Sequence, residues 1–165
     1  MRDQSTLKFF AFCMLILLLH GCMGVDSGEP ASEIEAELMD GTTFKLSDLR
    51  GRHVVLAFWG SWCGPCRRDN PKLVALHVKY KDDIEVVTIA LEKKRSRGEA
   101  AAEKDGFTWE YRIVEQSPVV LASETARAYG VTDIPAKFLI RPDGKLISGL
   151  NIDQIDALLA AEFSE

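Results

Sequence analysis

The most constraining feature of this sequence is an apolar segment that leads directly into a pair of cysteines. The segment runs from His53 to Trp59, is almost entirely apolar and has turn-forming residues on both sides. Such a run, without polar alternation, is typical of a strand that is buried on both faces of a sheet. Cys63 and Cys66 follow at once, separated by Gly64 and Pro65. The fold must therefore place this cysteine pair at the end of a central strand.

Strand and helix patterns alternate on either side of this segment. Helices are predicted over 67–81, 96–104, 123–129 and a last stretch that Asn151 or Asp153 could cap, and further strands over 34–38, 43–46, 84–91, 108–114, 136–140 and 146–148. A strand, a helix and a second strand in succession imply parallel pairing with a right-handed crossover, and the two hairpins add antiparallel pairing. The expected fold is therefore α/β, with a central mixed sheet, helices on both faces and an N-terminal β-hairpin.

The first 22 residues have the pattern of an export signal. Arg2 and Lys8 precede an apolar run from Phe9 to Leu19, which is shorter than the roughly 20 residues that span a bilayer. The run ends in Leu19-His20-Gly21-Cys22, which resembles a bacterial lipobox except at His20. The cysteine of a lipobox is acylated, so we expect an extracytoplasmic protein anchored to a membrane through Cys22. A cleaved soluble form and an uncleaved anchor are the alternatives.

Three regions follow from this interpretation. Residues 1–22 would form the lipoprotein signal, 23–33 a flexible linker and 34–165 a single domain. The linker is expected because Gly, Ser, Pro and acidic residues dominate its composition. The remaining length suits one domain with a full hydrophobic core.

Net charge and cysteine count limit the classes of function that this chain can have. A net charge of −5 argues against nucleic acid as a partner, because phosphates need a basic surface. Of the four cysteines, Cys13 would leave with the signal and Cys22 would carry lipid, so that Cys63 and Cys66 remain as thiols. A disulfide between these two closes so short a loop that it constrains the unfolded chain very little. The pair therefore suits redox chemistry better than stabilisation.

Half of a zinc site is the other common use of two cysteines at this spacing. Such a site would need two further ligands. After the signal the sequence has only His53 and His77 as histidines, and it has no second cysteine pair. We therefore expect neither a metal ion nor a cofactor.

The position of the two cysteines assigns a role to each. They lie between the end of a strand and the start of a helix, where free N–H groups and the positive end of the helix dipole favour the thiolate of Cys63. Pro65 fits the first turn of that helix, where a proline loses no hydrogen bond. Cys66 lies in the same turn and can attack a mixed disulfide on Cys63. We assign Cys63 as the nucleophile and Cys66 as the resolving cysteine.

The segment from Val54 to Cys66 resembles the active-site strand and turn of thioredoxins. The Asp40-Gly41 turn and the segments 46–51, 67–73 and 129–135 resemble, more specifically, the TlpA/ResA branch of anchored extracytoplasmic thioredoxins. The resemblance covers nearly all of the chain from residue 34 onwards. It implies a thioredoxin-like three-layer fold, protein disulfides or dithiols as substrates, and a membrane thiol-disulfide protein as the electron donor.

The resemblance also assigns residues to substrate binding. Ile134-Pro135 resembles the loop whose cis proline packs beside the cysteines and whose backbone pairs with an extended substrate. Trp62 is expected on the exposed apolar rim where a partner docks, next to Gly64 and Pro65. Together these residues would form the surface that receives the substrate.

Resolution of a mixed disulfide needs a base that accepts the proton of the resolving thiol. Thioredoxins place a buried aspartate six residues before the first cysteine, and this chain has Ala57 there. The resemblance points instead to Asp69 and Glu92, which fall at or near acidic positions of the TlpA/ResA branch. Either carboxylate could accept the proton from Cys66. The alternative is that both are solvated surface acids.

The Gly-Pro dipeptide between the cysteines indicates the direction of the reaction. It is the dipeptide of reducing thioredoxins, with a potential of about −270 mV, against about −120 mV for the oxidant DsbA. We expect a membrane-tethered reductase of protein disulfides, with apocytochrome c thiols or oxidised surface proteins as substrates. An oxidase or isomerase and a non-catalytic adaptor are alternatives. A peroxiredoxin-type peroxidase is another, but it needs Thr or Ser where this chain has Gly60.

Overall fold

Strands and helices alternate along residues 25–164, the part of the chain that the computed structural model describes. In chain order they are β1 (Val25–Pro30), β2 (Glu35–Glu37), β3 (Thr43–Lys45), β4 (His53–Trp59), α1 (Gly64–Lys79), β5 (Ile84–Glu92), α2 (Arg95–Lys104), β6 (Arg112–Gln116), α3 (Glu124–Ala128), β7 (Ala136–Ile140), β8 (Lys145–Ser148) and α4 (Ile152–Glu162). Single 3-10 turns lie at Leu46–Leu49 and Val120–Ala122. The predicted signal, with Cys13 and Cys22, lies outside the described residues.

The apolar segment forms β4, near the centre of a six-stranded sheet with the order β1-β8-β7-β4-β5-β6. β4, β5 and β6 run parallel, as a strand–helix–strand succession requires, and β7, β8 and β1 add antiparallel pairs. Every residue of β4 after His53 is buried. This confirms both the mixed sheet and the central, doubly buried strand.

The side chains of β4 alternate between two hydrophobic cores, because successive residues of a strand point to opposite faces of the sheet. Val55, Ala57 and Trp59 belong to the core that also contains apolar residues of α1, α2 and α4. Val54, Leu56 and Phe58 belong to the other core. That core also contains Ala126 of α3 and residues that precede β4, such as Ile34 and Leu38. Helices therefore lie on both faces of the sheet, as expected for a three-layer fold.

The N-terminal β-hairpin is present, and it is a small sheet of its own. β2 pairs with β3 in antiparallel register, with Ala36 opposite Phe44. Phe44 is buried in the second core, and Leu38 forms a single bridge to Ile113 of β6. The hairpin thus packs on one face of the main sheet and meets its β6 edge only through this single bridge.

The prediction of a flexible linker over 23–33 is wrong for residues 25–30, because these residues form β1. β1 pairs antiparallel with β8, and Pro30 lies opposite Lys145 at its end. The physical reason is that β8 would otherwise leave its outer row of backbone donors and acceptors unpaired, and an extended segment of almost any composition can satisfy them. A proline is tolerated there because an edge strand forms backbone hydrogen bonds on one side only, so the missing N–H of proline can lie on the side that has no partner strand.

Smaller differences concern the ends of elements. α1 begins at Gly64, three residues before the predicted start, because the Cys63 side chain caps it by accepting the N–H of Cys66 at 3.1 Å. β6 begins at Arg112 because Trp109 turns into the core, where its indole N–H donates to the Thr88 hydroxyl at 3.1 Å. Asn151 caps α4 in a capping box, which decides between the two candidates for that role.

No helix within residues 25–164 is both long enough and apolar enough to cross a membrane.

Candidate active site

The cysteine pair lies where β4 ends and α1 begins. Cys63 and Cys66 are joined by a disulfide, with their Cα atoms 5.3 Å apart, and both side chains are largely buried. Cys63 is the N-cap of α1, and Pro65 follows in the first turn. The sulfur of Cys63 therefore receives a backbone N–H and sits at the positive end of a 16-residue helix. Both features stabilise a thiolate at Cys63 once the disulfide is reduced.

The loop before β7 completes one wall of the site. The Ile134-Pro135 peptide bond is cis, as predicted. The carbonyl oxygen of Ile134 lies 3.7 Å from the sulfur of Cys63, so the loop is in direct contact with the cysteine pair. Ile134 and Pro135 are partly exposed, and they precede the buried part of β7. An extended substrate segment can therefore reach the loop and Cys63 together.

Trp62 projects next to the cysteines with about half of its surface exposed, at 51%. Its indole N–H donates to the carbonyl oxygen of Leu91 at 2.8 Å, which fixes the ring against the end of β5. Gly64 and Pro65 are also exposed, whereas Trp59 is buried. The structure thus places Trp62 on an exposed rim of the site, and it places Trp59 in the core.

Gly60 makes room for the Trp62 ring. A Cβ atom at residue 60 would lie 2.7 Å from the indole nitrogen of Trp62 and 3.2 Å from the carbonyl oxygen of Leu91. Both distances are shorter than ordinary contacts, so Ser or Thr at this position would displace the ring. The geometry therefore opposes the side chain that a peroxiredoxin-type peroxidase needs three residues before its cysteine.

Asp69 lies on α1, about one turn beyond Cys66, and forms an ion pair that the sequence analysis missed. Its carboxylate is 2.7 Å from the ammonium group of Lys137 on β7. The Lys137 side chain is only 6% exposed, whereas that of Asp69 is 37% exposed. Lysine is rarely buried unless it is paired. Its one sequence signal was a charged residue within an otherwise apolar strand, two positions after Pro135.

The register of the sheet places this ion pair beneath the cysteines. Lys137 pairs with Ala57 across β7 and β4, and the two side chains therefore point to the same face of the sheet. Ala57 shares its hydrophobic core with Cys63 and Cys66. The sheet face on which thioredoxins have a buried aspartate thus has Lys137 in this chain. The acidic partner, Asp69, lies on α1, which packs against that face.

Glu92 is buried at the end of β5, with 1% of its surface exposed. Its carboxylate accepts the backbone N–H of Ser61 at 2.5 Å, and so it ties β5 to the loop that precedes Cys63. The alternative of a solvated surface acid is therefore wrong for Glu92. Asp69 also departs from that alternative, because it is engaged by a buried lysine.

The two histidines within residues 25–164 contact residues other than the cysteine pair. His53, at the start of β4, forms a hydrogen bond with Glu162 of α4, and His77 packs edge-on against Trp109. Burial lowers the pKa of His77. Within the described residues no three His, Cys, Asp or Glu side chains form a group that could hold a metal ion.

Known proteins resemble this chain in sequence and in fold. The family model for AhpC/TSA proteins matches residues 27–148. The thiol-disulfide oxidoreductase ResA of Bacillus subtilis (strain 168) is 32% identical over 130 residues, which cover 77% of this chain and 68% of that protein.

Two solved structures of similar proteins superpose on most of the chain. A thiol-disulfide oxidoreductase from Bacteroides fragilis NCTC 9343 does so with a TM-score of 0.74 and 26% identity, over 82% of this chain and 100% of that one. A protein described as the thiol:disulfide interchange protein DsbE, from Chlorobium tepidum, does so with a TM-score of 0.67 and 28% identity, over 82% and 98%.

Proposed function

Because this chain belongs to the AhpC/TSA family, as a thiol-disulfide oxidoreductase of the ResA and DsbE type, we propose that it is a membrane-tethered reductase of protein disulfides. Membership confirms the resemblance to extracytoplasmic thioredoxins and implies protein thiols or disulfides as substrates. The observation that carries the proposal is the Cys63–Cys66 disulfide at the N-terminus of α1, in contact with the loop that contains Pro135.

The reaction proposed for this geometry has two exchange steps. In the reduced protein the thiolate of Cys63 attacks one sulfur of the substrate disulfide, and the other substrate sulfur leaves as a thiolate that takes up a proton. The thiol of Cys66 then loses its proton and attacks the Cys63 sulfur of the mixed disulfide. The second substrate thiol leaves, and the Cys63–Cys66 disulfide remains. Two electrons have passed from the protein to the substrate, and a membrane dithiol partner must return them.

Of the two candidate bases, the structure favours Asp69 for the proton of Cys66. Asp69 stands about one turn along α1 from Cys66, is open to water on one side and is held in place by Lys137. Glu92 already accepts the N–H of Ser61, which suits a role in holding the loop before Cys63. Asp69 can pass a proton to solvent, which a base must do in every turnover.

Substrate binding is proposed on the exposed surface around the cysteines. The backbone of Ile134 and Pro135 would pair with an extended segment of the partner, as in strand addition. Trp62, Gly64 and Pro65 are exposed beside it and offer an apolar contact surface. Apocytochrome c thiols, in cytochrome c maturation, and oxidised surface proteins are the substrate classes proposed.

The reduction potential of the cysteine pair tests the direction of electron flow. The Gly-Pro dipeptide predicts a value near that of thioredoxin, about −270 mV, because the disulfide is then the favoured state and the dithiol a good reductant. Equilibration of the protein in glutathione or dithiothreitol buffers of known potential, followed by alkylation of free thiols, measures it. A value near −120 mV would instead make the protein an oxidase.

The lipid anchor is tested by labelling cells with a radioactive fatty acid. We expect the wild-type chain to carry the label and Cys22→Ala to lose it, because the lipobox cysteine is the acylated residue. Two acyl chains give stable anchoring, at about 0.8 kcal/mol for each buried CH₂. Cys13→Ala is the matched control and should keep the label, since this cysteine lies within the apolar run. An unlabelled wild-type chain would exclude the anchor.

A further inference from the structure

A pocket of about 340 Å³ opens beside the cysteine pair and takes no part in the exchange steps described above. Its walls are Trp62, Glu92, Lys93, Arg97 and Val120. β4 and β5 are parallel, so the cysteines that follow β4 and the residues that follow β5 meet at the same edge of the sheet. Trp62 directly precedes Cys63 and is the wall that joins the pocket to the site.

The two exposed cations of this basic pocket have no direct acidic partner among the described residues. Lys93 and Arg97 are exposed, and within residues 25–164 neither side chain has a hydrogen bond or an ion pair. Arg95, which lies between them, is paired with Glu99 and Glu37. Exposed Lys94 adds one further positive charge, and the only acid of the pocket wall, Glu92, is buried and bonded to the Ser61 N–H. The exposed charges at the mouth of the pocket are therefore the positive ones, and the negative charge of Glu92 lies buried in its wall, in a chain whose net charge is −5.

The pocket also has an apolar side. Half of the Trp62 surface is exposed, Val120 lines the wall, and the neighbouring Val119 is 65% exposed. Exposed aromatic and aliphatic side chains next to unpaired cations fit an acidic side chain on a hydrocarbon stem, flanked by an apolar residue. A nucleic acid would fit less well, because the rest of this acidic chain would repel it.

We propose that this basic pocket selects protein disulfides that carry a Glu or Asp within a few residues of the attacked cysteine. The proposal rests on the disulfide-exchange function proposed above and names its substrate class. Each residue of an extended substrate advances by about 3.3 Å. A side chain a few residues from the cysteine bonded to Cys63 therefore reaches the pocket next to Trp62. Complementary charge at this position speeds encounter and sets which segment enters the site.

The test compares substrates that differ only in charge. Three peptides, identical except for Glu, Gln or Lys at two positions beside a single cysteine, are made as disulfide-linked homodimers. The full chain is reduced beforehand, freed of reductant and mixed with each dimer, so that it supplies both electrons in a single turnover. We expect the Glu peptide to be reduced about tenfold faster than the Lys peptide at low salt. In 1 M salt, where screening acts within about 3 Å, the ratio should approach one.

Charge reversal at the pocket provides the second measurement. Lys93→Glu/Arg97→Glu should invert the preference, so that the Lys peptide becomes the faster substrate. The matched control is Lys81→Glu/Lys104→Glu, which makes the same change of charge at exposed residues near the C-terminal ends of α1 and α2. The control should keep the preference of the wild type. The rate with uncharged hydroxyethyl disulfide is measured for each variant and serves as the reference to which the rates of its three peptides are normalised.

Failure of this proposal differs from failure of the function on which it rests. Suppose that the wild type reduces hydroxyethyl disulfide, and that it reduces the three peptides at rates equal to one another. The proposed selection of acidic substrates is then wrong, and the exchange function stands. A preference for the Glu peptide that survives the pocket reversal would also overturn the proposal. If the reduced protein attacks none of the four disulfides, both fall together.

Discussion

Replacing Cys63 with serine is expected to lower the rate of disulfide reduction to the uncatalysed background. A hydroxyl group at residue 63 cannot form the mixed disulfide, and Cys66, inside the first turn of α1 and almost fully buried, cannot take over the attack on a protein substrate. Cys66→Ser should behave differently. It keeps the attack by Cys63 but cannot resolve the product, so it should give one fast half-reaction and no turnover. Stopped-flow mixing of each reduced variant with a disulfide substrate measures both rates.

The two serine variants are matched controls for each other, because each replaces one sulfur atom of the same disulfide. The folded protein therefore loses the Cys63–Cys66 bond in both variants. A fast half-reaction in Cys63→Ser, equal to that in Cys66→Ser, would contradict the order of the cysteines. Turnover that persists in both variants would contradict the whole chemistry.

Removal of Asp69 is expected to have the largest effect on stability among the charged residues of the site. Asp69→Ala should lower the free energy of unfolding by about 2–3 kcal/mol, because it leaves the buried ammonium group of Lys137 without its partner. The estimate lies below the usual range for a fully buried pair, since the Asp69 side is open to water. Lys137→Met should cost far less, because the carboxylate that remains can be hydrated. Urea denaturation of the three proteins gives these differences.

The double variant Asp69→Ala/Lys137→Met separates the ion pair from other causes. It should recover most of the stability lost in Asp69→Ala, because no buried charge is left unpaired. The ion pair between Glu35 and Lys45 is the surface control, since both side chains are about half exposed; Glu35→Ala should cost less than about 1 kcal/mol. Equal losses in Asp69→Ala and Glu35→Ala would show that burial of Lys137 contributes nothing.

Local patterns were sufficient to predict most of the fold. The apolar run of β4, the turn before β3 and the periodicity of α1 each follow from a short stretch of sequence. The cis bond at Pro135 was predicted from resemblance, because no local pattern distinguishes a cis from a trans proline. The missed strand β1 depends on a distant partner: residues 25–30 have little strand character, and it is the open edge of β8 that orders them.

The candidate site was predicted less completely, for the same reason. Glu92 opens a run of charged residues, so its burial could not be foreseen; the loop that contains Ser61 and the close packing of α2 at Gly98 enclose it. Asp69 and Lys137 are 68 residues apart in the chain and meet because β7 lies beside β4, under α1. A lysine in an apolar strand was the visible sign that an acid had to be nearby, but the sequence did not show which acid.

The most direct test of the central claim is to identify the residue that bonds to the substrate. Reduced Cys66→Ser is incubated with an oxidised protein substrate, quenched with acid and digested without reductant, and the cross-linked peptides are sequenced by mass spectrometry. The expected result is one intermolecular disulfide, between Cys63 and a substrate cysteine, which dithiothreitol releases. A substrate that stays uncoupled from Cys66→Ser, or that couples instead to Cys66 in the Cys63→Ser protein, would contradict it.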